Sequence, residues 1–191
     1  TGDDAIYYSL GSSTDTTTAD ITAKAVTLAG ITAGNKVYDG GVSAEVSVTG
    51  ASFGGMIAGD ELTVSSNGVF DNKNVGEGKT VTLTNVLGGA DLGNYTVTDQ
   101  DTTTADITAK ELTITGVTAS NKVYDATTDA TVAGTASLTG IVAGDVVSWD
   151  DSGITGTFVN KNVGIEKAVL ISGLSLSGAD ASNYSVGSLG V

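Results

Sequence analysis

The sequence contains no cysteine, histidine, proline or arginine among its 191 residues. Cysteine and histidine are the usual ligands of zinc, haem iron and iron–sulfur clusters, so none of these sites is expected. Their absence also excludes the nucleophiles that depend on cysteine or histidine. The lack of cysteine does not decide the cellular compartment, because a chain of this size can bury a core without disulfides.

Basic side chains are scarce as well. Eight lysines stand against 22 acidic residues, which gives a formal net charge of −14. Nucleic-acid binding depends on clustered lysine and arginine that neutralise phosphates, so nucleic acid is not an expected partner. No apolar run approaches the roughly 20 residues of a membrane-spanning helix, and membrane insertion is not expected.

One glycine-rich segment, Gly76–Thr80, has a superficial likeness to a phosphate-binding loop. A phosphate loop opens a helix, whereas this segment precedes a predicted strand, and its counterpart Gly164–Ala168 lacks the pattern. We interpret it as a hairpin turn. No pair among the carboxylates stands out for acid–base chemistry. We therefore predict that the chain is not an enzyme and has no catalytic or cofactor-binding residues.

Glycine (27 residues) and threonine are abundant, and apolar residues alternate with polar ones. A period of two is typical of half-buried strands joined by tight turns. The segments with this pattern are 25–28, 44–49, 62–65, 80–84 and 110–115. A turn is predicted at Asn67-Gly68, and single helical turns are expected at Ser52–Ile57 and Ser137–Val142. The predicted fold class is all-β.

The apolar positions of the alternating segments predict the core. In the second half of the chain they are Leu112, Ile114, Val123, Phe158, Val169 and Ile171. Their equivalents in the first half are Val26, Leu28, Val37, Phe70, Val81 and Leu83.

Several motifs occur twice, about 86 positions apart. TTTADITAK stands at Thr16–Lys24 and Thr102–Lys110, and NKVYD at Asn35–Asp39 and Asn121–Asp125. Further repeated motifs are AGD (58–60 and 143–145), NKNVG (72–76 and 160–164) and GADxxNY (89–95 and 178–184). Small changes in the spacing are insertions and deletions of the kind that loops tolerate. The chain is therefore an internal duplication.

The repeat also predicts the domain boundaries. Residues 2–8 align with Gly89–Tyr95, and the sequence closes at Val191 where another TADITAK is due. We predict the tail of a preceding module and a linker over 1–18, a first module over 19–104 and a second module over 105–191, as part of a longer array. The segment from Tyr95 to Lys110 is expected to be β-structured and to form a stiff joint.

The motifs resemble those of a known family. Each half combines NKVYD with AGD, NKNVG and GADxxNY elements, and the combination is similar to the YDG and MBG (mostly β-grasp) repeats of large, filamentous-haemagglutinin-like bacterial surface adhesins. The resemblance implies two tandem β-grasp-like modules in an elongated array. An immunoglobulin-like sandwich is the alternative fold. Ala126 stands where the family pattern has glycine, which implies a looser turn in the second copy.

The resemblance also implies a role. It suggests a secreted, non-catalytic stalk or spacer on the bacterial cell surface that projects a distal binding region. Two rival roles remain open: a carbohydrate-binding module in biofilm matrix, with polysaccharide as partner, and a homotypic adhesion module that associates through exposed sheet edges. The expected partners are neighbouring modules of the same chain, and the fragment is expected to be a monomer.

The recurring tyrosines and their neighbours are the candidate motif residues: Tyr38, Asp39, Tyr124, Asp125, Asn94, Tyr95, Asn183 and Tyr184. Paired tyrosines can stack on sugar rings, but a tyrosine at fixed register in a small β module is more often a core residue with a local hydroxyl partner. The aspartates are expected to close turns through backbone N–H groups. We favour the structural interpretation.

The inter-module segment offers candidate calcium ligands, because Asp99, Asp101 and Asp106 lie close in sequence. Calcium needs six to eight oxygen ligands, and no complete calcium-binding loop is present. A bound ion would neutralise the carboxylates and stiffen the joint. The alternative is solvated surface charge that keeps the array soluble.

Overall fold

The computed structural model describes residues 11, 14, 16–187, 189 and 190. The expected tail of a preceding module at residues 2–8 lies outside them. Within the described residues, helical structure is limited to two three-residue 3-10 turns, Leu92–Asn94 and Ala181–Asn183. The all-β prediction is confirmed. No helix in this part of the chain is long and apolar enough to cross a membrane.

The first module is built from short strands and two long ones. They are β1 (Lys24–Ala29), β2 (Thr32–Ala33), β3 (Lys36–Val37), β4 (Ser43–Ala44), β5 (Val46–Ser47), β6 (Ser52–Gly54), β7 (Thr63–Phe70), β8 (Gly76–Gly88), β9 (Tyr95–Thr98) and β10 (Thr102–Thr108). They form three sheets, with the orders β6-β1-β9, β2-β5 and β3-β10-β8-β7-β4. The pairs β1–β9 and β3–β10 are parallel, so the larger sheets are mixed.

The second module repeats this plan. Its strands are β11 (Lys110–Thr115), β12 (Thr118–Ala119), β13 (Asp129–Ala130), β14 (Val132–Ala133), β15 (Ser137–Thr139), β16 (Ser148–Asp150), β17 (Thr155–Phe158), β18 (Val169–Ser172), β19 (Ser175–Ser177), β20 (Tyr184–Val186) and β21 (Leu189–Gly190). The sheets β15-β11-β20 and β12-β14 match β6-β1-β9 and β2-β5 of the first module.

The long strands are where the modules differ. β7 is continuous, whereas its counterpart is divided into β16 and β17 by three additional residues around Asp151, where the Ile154 N–H donates to the Asp151 carbonyl at 3.1 Å. The counterpart of β8 is likewise divided into β18 and β19. The break accounts for the change in motif spacing, which is 85 residues between the AGD copies and 88 between the NKNVG copies.

Strand pairing assigns β10 to the first module. It pairs antiparallel with β8 and parallel with β3, and only Ala109 separates its last residue from β11. The boundary expected between residues 104 and 105 falls inside this strand. The prediction that Tyr95–Lys110 is β-structured agrees with β9 and β10.

Burial confirms most of the predicted core. Ten of the twelve predicted positions are buried or partly buried, from Val81 at 0 % exposure to the partly buried Phe158. The prediction that Val37 and Val123 are buried was wrong, because they are 57 % and 89 % exposed. Side chains alternate along an extended chain, so in the first module the buried Tyr38 turns its neighbour Val37 outward.

Three local predictions were also wrong. The helical turns expected at 52–57 and 137–142 are the strands β6 and β15 with adjoining turns, and each strand pairs antiparallel with the first strand of its module. The single strand expected over 44–49 is broken at Glu45 into β4 and β5. The turn expected at Asn67-Gly68 lies inside β7.

Gly68 has a packing role in β7. A Cβ atom at this position would lie 2.5 Å from Val46 Cγ2 and 2.9 Å from Val81 Cγ1, so only glycine lets these side chains close over the strand. Gly156 holds the equivalent place, 2.6 Å from Val132 Cγ1 by the same measure. The two glycines are therefore part of the core and not turn residues.

Gly68→Ala is expected to lower the free energy of unfolding by about 1–3 kcal/mol, because the added methyl overpacks the core. Gly93→Ala is the matched control, since nothing lies within 4 Å of a Cβ there. Urea unfolding of both variants measures the difference. Equal stability of the two variants would show that the packing around Gly68 is loose.

Candidate functional site: the joint between the two modules

The repeated motifs meet where the two modules touch. The first module contributes Tyr38 from NKVYD and Lys73, Asn74 and Val75 from NKNVG, which we call the lysine face. The second module contributes Asp145 from AGD and Asp180, Asn183 and Tyr184 from GADxxNY, which we call the aspartate face. Each motif residue has a counterpart in the other module, so each module carries both faces.

Asp145 is the centre of the joint. Its side chain is only 4 % exposed. Its Oδ2 accepts hydrogen bonds from the Tyr38 hydroxyl at 2.7 Å and from the Tyr184 hydroxyl at 2.6 Å. Its Oδ1 accepts from Lys73 Nζ at 2.8 Å. A buried carboxylate is stable only when it is paired in this way, so one side chain binds three groups from both modules.

Lys73 and the tyrosine rings enclose this carboxylate. Lys73 Nζ also lies 2.9 Å from Asp180 Oδ1 and 5.8 Å from the centre of the Tyr38 ring. The Tyr38 and Tyr184 rings pack edge to face, with centroids 5.4 Å apart and planes at 76°. Such aromatic pairs stabilise beyond the area they bury, so the joint combines an apolar contact with an ionic one.

Asn183 adds a contact to the backbone. It is 1 % exposed, and its Oδ1 accepts a hydrogen bond from the Val75 N–H at 3.0 Å. Its Nδ2 donates to Asn74 Oδ1 at 3.3 Å. A buried amide needs such partners, and here they lie on the NKNVG turn of the other module. The asparagine therefore fixes the position of that turn.

Local turns hold both faces in place. On the aspartate face, the 3-10 turn at 181–183 presents Asn183, and the Tyr184 hydroxyl accepts from the Val142 N–H at 2.9 Å. On the lysine face, Asn72 Oδ1 accepts from the Asn74 N–H at 3.0 Å and from Lys79 Nζ at 2.8 Å. Both faces are thus built within their own modules.

The charges at the joint shift its pKa values. Burial alone raises the pKa of Asp145, but the hydrogen bonds from Lys73, Tyr184 and Tyr38 outweigh it and lower the pKa to about 2. Burial and the hydrogen bond to Asp145 raise the pKa of Tyr184 to about 12. The hydrogen bonds to Asp145 and Asp180 raise the pKa of Lys73. At neutral pH the joint therefore holds a charged lysine, a charged aspartate and neutral tyrosines.

Acid is expected to weaken the joint. Because the folded-state pKa of Asp145 is about 2 against an ordinary 3.8, its stabilisation is complete above the ordinary value and is lost as the pH falls through about 2. Thermal unfolding between about pH 5 and pH 2 measures this loss. Asp145→Asn is the control and should show a flatter pH dependence over that window. An unchanged slope in the variant would contradict the assignment.

Six of the eight predicted motif residues lie in three kinds of surroundings: the joint, the interior of the first module and the exposed surface. Tyr38, Asn183 and Tyr184 belong to the joint. Tyr95 is buried within the first module, where its hydroxyl donates to Asp60 Oδ2 at 2.5 Å and accepts from the Ile57 N–H at 3.0 Å. Asn94 is exposed, and the ring of Tyr124 is 56 % exposed.

The two aspartates after the tyrosines close turns. Asp39 Oδ1 accepts from the Gly41 N–H at 2.8 Å and pairs with Lys36, and Asp125 Oδ1 accepts from the Thr127 N–H at 2.9 Å and pairs with Lys122. The hydrogen bond from Lys122 is the largest cause that lowers the pKa of Asp125 to about 2. The turn keeps its form around Ala126, which adopts a left-handed φ of 67°.

The three aspartates predicted as calcium ligands do not share a common contact. Asp99 Oδ1 accepts from Asn85 Nδ2 at 2.6 Å and from the Gln100 N–H. Asp106 accepts from Asn35 Nδ2 at 3.0 Å and from the Gly78 N–H at 2.7 Å, and Asp101 is exposed. Within the described residues, no group of three or more acidic side chains is placed to hold a metal ion.

Sequence reasoning missed Lys73, Asp145 and Asp180 as site residues. A signal was present, because each lies in a motif that occurs in both halves of the chain. Recurrence shows that a residue matters to every module. It does not show that the partner belongs to the next module.

These observations define a class of protein: a tandem pair of all-β modules whose repeated motifs meet at the joint between them. The family model of the YDG domain matches residues 22–105 and 108–189. The chain belongs to the YDG domain family, with two tandem copies, as the motifs led us to expect. No curated protein and no solved structure matches it.

Proposed function

We propose that the chain is a non-catalytic, extracellular repeat unit that forms part of the stalk of a large bacterial adhesin and projects a distal binding region. The joint is the observation that carries this proposal. The repeated motifs are used to fasten one module to the next, and a stalk requires such fastening at every repeat.

The connection between the modules supports a load-bearing role. β10 completes the sheet of the first module, and after Ala109 the chain enters β11 of the second. A connection of one residue leaves little freedom for the modules to move apart. A charged stalk surface, with a net charge of −14, also suits an exported array that stays soluble.

The rival carbohydrate-binding role receives less support. An exposed aromatic platform would favour it, but three of the four recurring tyrosines, Tyr38, Tyr95 and Tyr184, are buried with their hydroxyls bonded to aspartates. Only Tyr124 is open. Catalysis is not favoured either, since the lysine at the joint is held charged between two carboxylates and cannot act as a base.

The stalk proposal is tested on the parent protein displayed at a cell surface. Deletion of whole YDG modules should shorten the reach of its distal end and leave surface display and distal ligand binding intact. Deletion of the same modules with loss of ligand binding and unchanged reach would instead assign them a binding role.

The pair of modules is expected to scatter as a stiff, elongated particle. Small-angle X-ray scattering should give a narrow distribution of inter-module distances, and Asp145→Ala should broaden it. A calcium chelator should leave the profile unchanged, because the joint is held by protein groups. A broad distribution in the unmodified chain would contradict the stiff joint, and a change on chelation would favour a calcium site.

A further inference from the structure

The second module has a groove beside its copies of the NKVYD and NKNVG motifs, the motifs that form the lysine face in the first module. The groove has a volume of about 840 Å³ and lies between the segment 119–124 and the hairpin 158–169. Apolar residues beside it are strongly exposed, namely Val123 (89 %), Val163 (88 %) and Ile165 (92 %). Such a concentration of exposed apolar side chains marks an interaction surface.

The first module shows what fills the equivalent place. There, β10 lies between β3 and β8. The counterparts of β3 and of the start of β8 are Lys122–Val123 and residues 164–167, which line the two sides of the groove and form no strand. The start of the β10 position is taken by β21, whose Gly190 pairs with Leu170 as Thr102 pairs with Thr82. The groove therefore corresponds to the rest of β10, and its two walls lack the pairing that this part of β10 provides in the first module.

The chain carries a second copy of the β10 sequence. Residues 16–22 read TTTADIT, the same as Thr102–Thr108, and belong to no strand of the described chain. Ile107 is 1 % exposed in the core of the first module, whereas its counterpart Ile21 is fully exposed. An extended, apolar-containing segment beside an open sheet edge is the pattern of strand addition.

Polar groups that hold β10 are repeated as well. Asp106 and Asn35 are joined twice, through the Asp106 N–H to Asn35 Oδ1 at 2.8 Å and through Asn35 Nδ2 to Asp106 Oδ2 at 3.0 Å. Their counterparts are Asp20, ahead of β1, and Asn121, at the groove, and both are exposed. The same pair of bonds can form between two chains.

Two module faces that have no partner within the described residues also match. The second module presents the lysine-face counterparts Tyr124, Lys161, Asn162 and Val163 at its groove. The first module presents the aspartate-face counterparts Asp60, Asp91, Asn94 and Tyr95. Lys161 would meet Asp60 and Asp91 as Lys73 meets Asp145 and Asp180, so the charges are complementary.

We propose that two copies of this chain associate head to tail. The segment Thr17–Thr22 of one copy enters the groove of the other as an added strand, and the aspartate face of the first module closes on Lys161 and Tyr124. The contact repeats the joint inside the chain. This association contrasts with the monomer expected from the sequence, and it does not depend on the stalk proposal because it concerns the isolated chain.

Two substitutions make the contact between copies weaker than the internal joint. In the joint, Gly40 leaves room for Val142, since a Cβ at Gly40 would lie 2.9 Å from Val142 Cγ1. The counterpart of Gly40 is Ala126, and that of Val142 is the larger Ile57. The experiment must therefore reach high concentrations.

The test is analytical ultracentrifugation of the full chain from about 1 µM to about 1 mM, the range of weak protein–protein affinities. Dimers and longer species should increase with concentration. Ile21→Asp should weaken association at least about tenfold, because the strand would carry a charge into the core. Thr18→Asp is the matched control and should associate normally, because its counterpart Thr104 is exposed.

A mixing experiment tests the polarity. Val163→Asp should block the groove end, as Ile21→Asp blocks the strand end, and both substitutions fall on exposed side chains, so circular dichroism should show an intact fold. Each variant alone should stay monomeric, and an equimolar mixture should form one dimer and nothing longer. A monomeric wild-type chain at every concentration, normal association of Ile21→Asp, or failure of the mixture to dimerise would each overturn the proposal.

Discussion

Asp145→Ala is expected to lower the free energy of unfolding of the second module by about 2–6 kcal/mol, at about 1–3 kcal/mol for each of the two tyrosine hydroxyls that loses its charged acceptor. The substitution leaves the hydroxyls of Tyr38 and Tyr184 and the ammonium of Lys73 without their common acceptor. Lys73 is 37 % exposed, so water replaces part of its loss, and the two tyrosines account for most of the effect.

Asp60→Ala is the matched control for this variant. Asp60 holds the equivalent position in the first module and accepts from the Tyr95 hydroxyl. Its loss should cost about 1–3 kcal/mol, the effect of one hydrogen bond to a charged group. Differential scanning calorimetry of both variants separates the module stability from the coupling between modules.

The difference between the two variants measures the joint. Asp145→Ala should also divide a coupled transition into two, because the modules then share fewer interactions. Equal losses of stability and similar unfolding transitions in the two variants would show that the contacts across the joint contribute nothing to stability.

Phe70→Ala is expected to cost about 3–5 kcal/mol, because Phe70 is 2 % exposed in the core of the first module. Phe158 is its counterpart but is only partly buried and lies at the open groove. Phe158→Ala should therefore cost about 2 kcal/mol, in proportion to the apolar area it removes from contact.

Urea unfolding of the two phenylalanine variants provides the measurement. Each ring has a lysine ammonium above it, Lys36 at 5.5 Å from Phe70 and Lys122 at 5.7 Å from Phe158, so the cation–π contribution is similar in both. Equal losses would mean that the groove closes over Phe158 in solution.

The all-β class, the duplication and the family could all be predicted from the amino-acid sequence alone. Alternation with a period of two is a local property, and it placed Leu112 and Ile114 on the buried face of β11 without knowledge of the rest. The repeated motifs identified the YDG modules, because a repeated motif can be recognised in the sequence without a structure. The turn-closing roles expected for Asp39 and Asp125 rest on short-range geometry as well, and the structure agrees.

Which residues face the neighbouring module could be read only from the folded chain. Tyr38 and Tyr124 have the same local sequence, yet the first is 1 % exposed and the second 56 % exposed, because the aspartate face covers only the first. Gly68 has the local signal of a turn but lies in β7, since Val46 and Val81 from other strands require the space of a side chain. Contacts between segments distant in sequence decide such positions, and the period of a single strand does not contain them.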